Sequence, residues 1–325
     1  MKPELLNFLR CPACKSKLSL IIRSSEGKEI KEGLLECFCQ KKYKISNFIP
    51  RFVDSDDYVK SFSFEWKIHR KTQLDSANKN NHMKNASESA FQKFVDFPLT
   101  ELKDKLVLDA GCGMGRYAEV AGNFGANVIG VDYSFAIDAA FENIGRRPNV
   151  HLIQADIFNL PLAPETFDFI YSFGVLHHTP DCENAFKQLP PLLKKGGNIS
   201  IFVYSRYNKA IVYTSAFWRF FTTKLPKRLL YLLCHISVPL YFLYKIPLIG
   251  SIGKMLFVIP MIPDCKWRVL DTFDWYSPKY QSKHTHAEVF RWFKDAGLSD
   301  ISIFEHEVTM MGTKRQLDET RVREG

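Results

Sequence analysis

Residues 107–116 read Val-Leu-Asp-Ala-Gly-Cys-Gly-Met-Gly-Arg, and Val128-Ile129-Gly130-Val131-Asp132 follows. Glycines at 111, 113 and 115 let a chain turn tightly and bring bare backbone against a ligand, because glycine has no Cβ and tolerates positive φ. Asp132 lies 21 residues beyond Gly111, about where a nucleotide-binding α/β fold puts the carboxylate that grips a ribose. The spacing is G-x-G-x-G, and Arg116 stands where a dinucleotide fingerprint has its last glycine. A diphosphate resting on a helix N-terminus needs that other spacing. Asp109, just ahead of the loop, suits a cationic amino-acid nucleoside better than a diphosphate. The chemistry implied is that of S-adenosylmethionine (SAM).

A second set of residues is Cys11-x-x-Cys14 and Cys37-x-Cys39. Two short loops that each give two thiolates can close a tetrahedral zinc site. Strand-like Lys17 to Ile22 follows the first pair, and Gly33-Leu34-Leu35 precedes the second. Zinc bound by Cys11, Cys14, Cys37 and Cys39 is the expectation; a metal-free β domain whose thiols only pack stays open beside it. Met1 to Arg10 has no secretory signal, so the eight cysteines point to reduced thiols or metal in a cytoplasmic setting, not to a disulfide framework. Cys112 serves as a small residue of the glycine loop, and Cys182, Cys234 and Cys265 form no pattern.

The elements that must position these residues are legible in outline. Leu106-Val107-Leu108 reads as a buried parallel strand, with a helix from Met114 to about Phe124. A third strand spans Val150 to Gln154 and leads to Ala155-Asp156. A fourth spans Phe167 to Ser172 and leads to Gly174-Val175-Leu176-His177-His178. Leu193 to Gly197 reads as a helix end and turn before a strand from Asn198 to Tyr204. Thr285 with Glu288 fits a capping box for a helix running to Ala296, which Gly297 ends. Strands Ser299–Glu305 and Val308–Thr313 would complete the sheet, and the charged tail from Lys314 reads as frayed.

In this order the segments resemble the class I SAM-dependent methyltransferases, in particular the broad group acting on small molecules, lipids, sugars and some RNA. The resemblance covers roughly 101–204 and, less fully, 284–313. It implies an α/β fold with a doubly wound, Rossmann-like sheet of seven strands. It also implies that Asp109, Gly111, Cys112, Gly113 and Gly115 hold the methionine end of SAM. Asp132, with Tyr133 beside it, would take the ribose, and Asp156 with Ile157 the adenine. Leu9 to Cys14 and Tyr43 to Pro50 resemble small zinc-ribbon proteins that partner RNA and protein methyltransferases, and ribbons fused ahead of bacterial methyltransferases. C-x-C in the second knuckle departs from that pattern.

The chain has 325 residues, 46% of them hydrophobic, enough for one large domain plus a smaller one. The division expected is a ribbon-like domain at 1–53, a linker and helical cap at 54–100, and a methyltransferase domain at 101–325 that carries an insertion at 206–280. In the second part, Tyr58, Phe62, Phe64 and Trp66 suggest partial order. Lys71 to Ala86 reads as a flexible linker by composition, and Ser87 as the cap of a helix reaching Val95. Phe64, Trp66 and Gln73-Leu74-Asp75 either fold over the cofactor or fix the ribbon to the main domain.

Residues 206–262 contain no acid and eight cations, against a formal +9 for the whole chain. The uncharged run from Leu229 to Tyr244 is shorter than the ~20 residues a spanning helix needs. Three readings stay open: an amphipathic element lying on a membrane, a helical lid, or a surface for phosphates of RNA or of an activated sugar. The insertion follows the fifth strand, so it emerges on the ligand side of the sheet.

Methyl transfer from a sulfonium is a direct displacement that needs a base only for a hydroxyl or a protonated amine. His177 and His178, just after the fourth strand, are the candidate catalytic residues, with His284 and His286 behind them. No Asn-Pro-Pro-Tyr or Asp-Pro-Pro-Tyr and no Pro-Cys follows the fourth strand, which argues against DNA as a substrate. The expected acceptor is a small molecule, a sugar or a lipid-linked glycan intermediate, methylated on oxygen by a cytoplasmic or membrane-peripheral enzyme. Its rivals are an rRNA or tRNA base methyltransferase and a non-catalytic SAM-binding scaffold.

Overall fold

The computed structural model describes residues 1–53 and 60–315. Four strands come first: β1 (Leu18–Glu26), β2 (Glu29–Cys37), β3 (Lys42–Ser46) and β4 (Ile49–Arg51). Helices α1 (Lys60–Ile68) and α2 (Ala86–Gln92) lead to an alternating series. It runs β5 (Leu106–Ala110), α3 (Arg116–Asn123), β6 (Asn127–Asp132), α4 (Ala136–Ala140), β7 (Val150–Gln154), β8 (Phe167–Phe173), α5 (Cys182–Lys187) and β9 (Leu193–Val203). The insertion holds α6 (Lys209–Thr222), α7 (Lys227–Cys234), α8 (Ser237–Leu243), α9 (Pro247–Leu256) and α10 (Cys265–Tyr276). Helix α11 (His286–Asp295) and strands β10 (Leu298–Phe304) and β11 (Val308–Lys314) come last among the described elements.

The strands form one sheet in the order β1-β2-β3-β4-β7-β6-β5-β8-β9-β11-β10. From β7 to β10 this is the expected seven-stranded, doubly wound arrangement, in which β11 alone runs against the other six strands, antiparallel to β9 on one side and β10 on the other. The ribbon does not stand apart: β4 pairs in parallel with β7, Arg51 opposite Gln154. Phe52 donates its amide to the Gln154 carbonyl at 2.8 Å, and the Arg51 guanidinium bonds the Gln154 side chain at 2.8 Å.

Alternation along the central strands places neighbours on opposite faces. Leu108, Ile129, Ile153 and Ile170 face Phe186 and Phe293. Val107, Val128, Leu152 and Phe169 face Ala118, Ala121, Ile137 and Phe91. Burial on both faces is what parallel strands require, and it fixes the strand ends that carry the glycine loop and Asp132.

Four expectations need correction. Leu193 to Gly197 is the start of β9, with Leu193 opposite Phe167 and a register shift before Asn198. A Cβ on Gly197 would stand 3.0 Å from the Phe167 carbonyl, so the glycine marks close backbone approach at a bulge, not a turn. The polar stretch 71–86 is not a loose linker. Gln73, Leu74 and Asn78 are buried, and the Asn78 amide donates to the Thr72 and Leu74 carbonyls at 2.9 and 2.8 Å. Ser87 lies inside α2 instead of capping it, and α2 stops at Gln92. The Asp75 carboxylate performs the capping, accepting the Ser87 and Glu88 amides at 3.0 and 2.8 Å.

The Thr285–Glu288 capping box is present as read. Tyr58 and most of the tail after Lys314 lie outside the described residues. The apolar run from Leu229 to Tyr244 is split between α7 and α8. Among the described residues, no helix is long and apolar enough to cross a membrane.

Candidate active site

A cavity of about 510 Å³ opens at the carboxyl ends of β5, β6, β8 and β9. Its floor is built from Gly111 to Met114, Asp132 to Ser134 and Phe173 to Val175. Its roof comes from Phe62, Glu65 and Trp66 on α1, from Val258 to Pro260 after α9, and from Asp271, Asp274 and Trp275 on α10.

The glycine loop is shaped by backbone that other residues would not adopt. Gly111 has φ +95° and Gly115 φ +93°. A Cβ on Gly111 would collide with the Val175 side chain, and one on Gly115 would stand 2.7 Å from Ile144 Cδ1. Asp132 ties the loop down: one carboxylate oxygen accepts the Gly113 amide at 2.8 Å. The other accepts the Ser134 amide and hydroxyl at 2.8 and 2.6 Å. Burial raises the pKa of Asp132 in spite of these donors.

Gly111, Cys112, Gly113, Asp132, Tyr133 and Ile157 all line the cavity, and Gly115 does not. Asp109 is buried beneath the loop and does not line it. Burial pushes its pKa up to about 8, against the neighbouring Tyr171 hydroxyl. Asp156 is also absent from the wall, although Ala155 and Ile157 on either side are present. Its carboxylate is used locally, accepting the Phe158 amide at 3.0 Å.

The two histidines separate. His177 is fully buried, away from the cavity, with its ring 3.9 Å from the Tyr204 ring. Neither ring nitrogen has a hydrogen-bond partner, and burial holds its pKa well below the usual value. His178 lines the cavity. Its Nδ1 lies 3.1 Å from the Tyr280 carbonyl, which can only accept, so Nδ1 carries the proton and Nε2 keeps a lone pair. Burial lowers its pKa to about 3. His284 bonds the Ser282 hydroxyl and His286 the Tyr207 hydroxyl, and neither lines the cavity.

Three acids on the roof were not anticipated. Glu65, Asp271 and Asp274 all line the cavity. Burial raises Asp271 to about 7 and Asp274 to about 6, and Glu65 well above its ordinary value. The one signal in the sequence is the i, i+3 spacing of Asp271 and Asp274, which puts both on one face of α10. Glu65 is about two hundred positions away in the chain and offered none.

At the ribbon, the Sγ atoms of Cys11, Cys14, Cys37 and Cys39 all lie within 4.8 Å of one another. Cys11 and Cys39 are 3.7 Å apart, Cys14 and Cys37 3.3 Å. Tetrahedral zinc with bonds of ~2.3 Å sets sulfurs about 3.8 Å apart, so the four thiols fit the ion. Hydrogen bonds from Ser16 draw Cys14 down to about 6. Cys37 is pushed up to about 12 by burial and its neighbouring sulfurs, against a backbone hydrogen bond at Cys39. As thiolates these four sulfurs could hold zinc, and binding it would release their protons.

Residues 108–201 match the Methyltransf_11 family, described as "Methyltransferase domain", and residues 2–47 match the family described as "Trm112p-like protein". Ubiquinone biosynthesis O-methyltransferase of Coxiella burnetii is 34% identical over 137 residues, 42% of this chain and 58% of that protein. A Mus musculus protein named probable tRNA methyltransferase 9B is 31% identical over 123 residues, 37% of this chain and 26% of its own length. Human N-acetylserotonin methyltransferase in complex with SAM superposes with a TM-score of 0.46 and 14% identity, covering 81% of this chain and 61% of that one. The chain thus spans little more than half of the first relative and about a quarter of the second. Behind a Trm112p-like domain with a zinc-ribbon-like cluster of four cysteines, the chain carries a class I SAM-dependent methyltransferase domain.

Proposed function

We propose that this chain methylates an oxygen of an amphipathic acceptor, a lipid or a lipid-linked molecule, at a membrane surface. Gly111 to Met114, Asp132, Tyr133 and Ile157 would hold SAM, with Asp109 buried beneath the loop. SAM bound there supplies a sulfonium methyl group. The chain supplies position and dryness, which account for much of the acceleration in a displacement of this kind. Phe62, Trp66 and Trp275 exclude water from the roof.

His178 is the histidine placed to take the acceptor's proton. Its depressed pKa makes it a weak base, and a weak base is enough. A hydroxyl proton becomes strongly acidic as its oxygen gains a methyl group, so the proton leaves late. The Coxiella burnetii relative named for O-methylation in ubiquinone biosynthesis supports oxygen as the acceptor atom.

The observation that carries the membrane reading is the surface of the insertion. Of the 25 exposed large hydrophobic residues of the described chain, 18 lie between Tyr207 and Leu256. Phe217, Phe220, Leu232, Phe242 and Leu248 are among them, each more than half exposed. Lys209, Lys224, Arg228, Lys245 and Lys254 are exposed on the same helices and the turns that join them, and the segment has no acid to offset them. Apolar side chains mixed with unopposed cations match an anionic headgroup layer. Val258 to Pro260 then run from this surface to the cavity roof, which gives an acceptor embedded in lipid a short route to the site.

The test is incubation of the full chain with methyl-labelled SAM and separated lipid, small-molecule and RNA fractions. Label is expected in lipid or small-molecule methyl ethers. Label confined to RNA would favour the tRNA-type relative instead, with the cations of the insertion gripping phosphates.

A further inference from the structure

Given methyl transfer as proposed above, we propose that Glu65, Asp271 and Asp274 bind an ammonium group carried by the acceptor. The cavity wall holds five acids, Glu65, Asp132, Asp271, Asp274 and Glu307, and one cation, Arg116. The Arg116 guanidinium is already engaged. It donates to the Ser87 hydroxyl at 2.9 Å and lies over the Tyr117 and Trp267 rings, 4.6 and 4.9 Å from their centroids. Arg219, behind Asp274, spends its guanidinium on the Trp275 and Pro278 carbonyls at 3.0 and 2.7 Å. Glu65 is buried and Asp271 and Asp274 are half-buried, and among the described residues none of the three forms an ion pair with Arg116 or Arg219; desolvated carboxylates left without a bonded cation favour one from outside.

The acids also have unused acceptor atoms. Glu65 is 1% exposed and its Oε2 has no hydrogen-bond partner. Tyr204 donates to Asp274 Oδ2 at 3.2 Å and thereby orients a carboxylate whose Oδ1 has no partner. Gln73 does the same for Asp271, donating to Oδ1 at 3.0 Å. Rings complete the surroundings: Phe62, Trp66, Tyr204 and Trp275 line the same cavity, and an aromatic face attracts a cation. Donors that orient the acids, acceptors left open and rings beside them make a site for an N–H-bearing cation.

A bare metal ion fits less well. Among the described residues, only the four ribbon thiols converge closely enough to share one. The ammonium of the cofactor itself is the other source of this chemistry. The placement favours the acceptor, because Asp274 sits beside Tyr204 beyond the end of β9, whereas the glycine loop follows β5 and Asp132 ends β6.

The probe pair is n-hexylammonium and 1-hexanol, the same chain with and without a charge. Binding is measured by calorimetry at pH 8 on the full chain saturated with S-adenosylhomocysteine (SAH). The amine is expected to bind at least tenfold tighter than the alcohol. Glu65→Gln and Asp274→Asn should each erase that preference while SAH affinity stays within twofold, which also shows that the variants fold. Equal binding of the two probes, no binding of the amine, or an unchanged preference in both variants overturns the assignment. A parallel fall in SAH affinity would give the acids to the cofactor and overturn it as well. Failure of the wild-type chain to bind SAH at all would instead defeat the methyltransferase reading.

Discussion

The Asp132 carboxylate and the Gly113 amide lie 2.8 Å apart, so the end of β6 and the turn after β5 hold each other in place. Two further donors from Ser134 saturate the second oxygen. This carboxylate therefore shapes the loop and faces the cavity at once. Asp132→Ala should lower SAM affinity about 100-fold, since hydrogen bonds to a charged group are worth roughly 1.5–3 kcal/mol each. The sheet should survive, because its strands are held by apolar contacts on both faces. Titration calorimetry measures the first effect and circular dichroism the second; unchanged affinity would contradict the site.

Gly111 tests the shape of the loop by a different route. Alanine there meets Val175 and must also hold φ near +95°. Gly111→Ala should cost about 2–4 kcal/mol, the sum of overpacking and a strained backbone. Val175→Ala added to it should return the steric part and leave the backbone part. Denaturant unfolding of the two variants separates them, and complete rescue would mean that φ strain contributes nothing.

Much of this site was legible because strand, loop and carboxylate follow one another within a short stretch. Gly111 to Gly115, Asp132 and the seven-stranded order rest on local patterns of that kind, as does the Thr285–Glu288 box. Glu65, Asp271 and Asp274 were not legible, because nothing in α1 announces that it will lie over α10. The polar residues of 71–86 suggested a linker, yet Asn78 and Asp75 turn their polarity inward to satisfy local backbone. Gly196-Gly197 suggested a turn because bulged strand and turn share the need for glycine. Asp156 was placed on the adenine by analogy, whereas its side chain caps the turn after β7.

Asp109 gives a pH prediction whose sign follows from burial. Its pKa is about 8 in the fold and about 3.9 in an unfolded chain. Below pH 4 both states hold the proton and the group contributes nothing. As pH rises toward 8 the unfolded state loses its proton first, so stability falls by as much as about 1.4 kcal/mol per pH unit. Asp109→Asn cancels this contribution and leaves every other titrating group in place. The variant should therefore gain on the wild type steadily between pH 4 and 8 in ligand-free denaturation. A constant difference would place an ionised Asp109 in the fold.

The ribbon should hold one zinc ion per chain. Cys11 and Cys37 are buried in the core that the ribbon shares with the main sheet, so losing the metal should loosen β1 to β3 before the central strands. Cys14→Ser, at the most thiolate-prone position, should remove most of the metal and lower the thermal midpoint by several degrees. Emission spectrometry of purified protein and melting with and without a chelator would show it. Full zinc occupancy in Cys14→Ser would mean that three thiols suffice.

The insertion can be tested without disturbing the cavity. Deleting 206–262 would remove Val258 to Pro260 from the roof, so substitutions are the cleaner choice. Lys224, Arg228, Lys245 and Lys254 are exposed and lie outside the cavity wall. Changing all four to Glu should weaken binding to anionic vesicles by about 10³-fold or more, at about 1 kcal/mol for each cation lost near the surface. Binding of the wild type should also fall with added salt and be slight on vesicles of phosphatidylcholine alone. SAM affinity should be the same in both proteins. Co-sedimentation that persists in the fourfold variant would take these cations out of the membrane contact, and a wild-type chain that does not co-sediment would leave the exposed apolar side chains of α6 to α9 without a lipid partner and turn the insertion into a protein-facing surface.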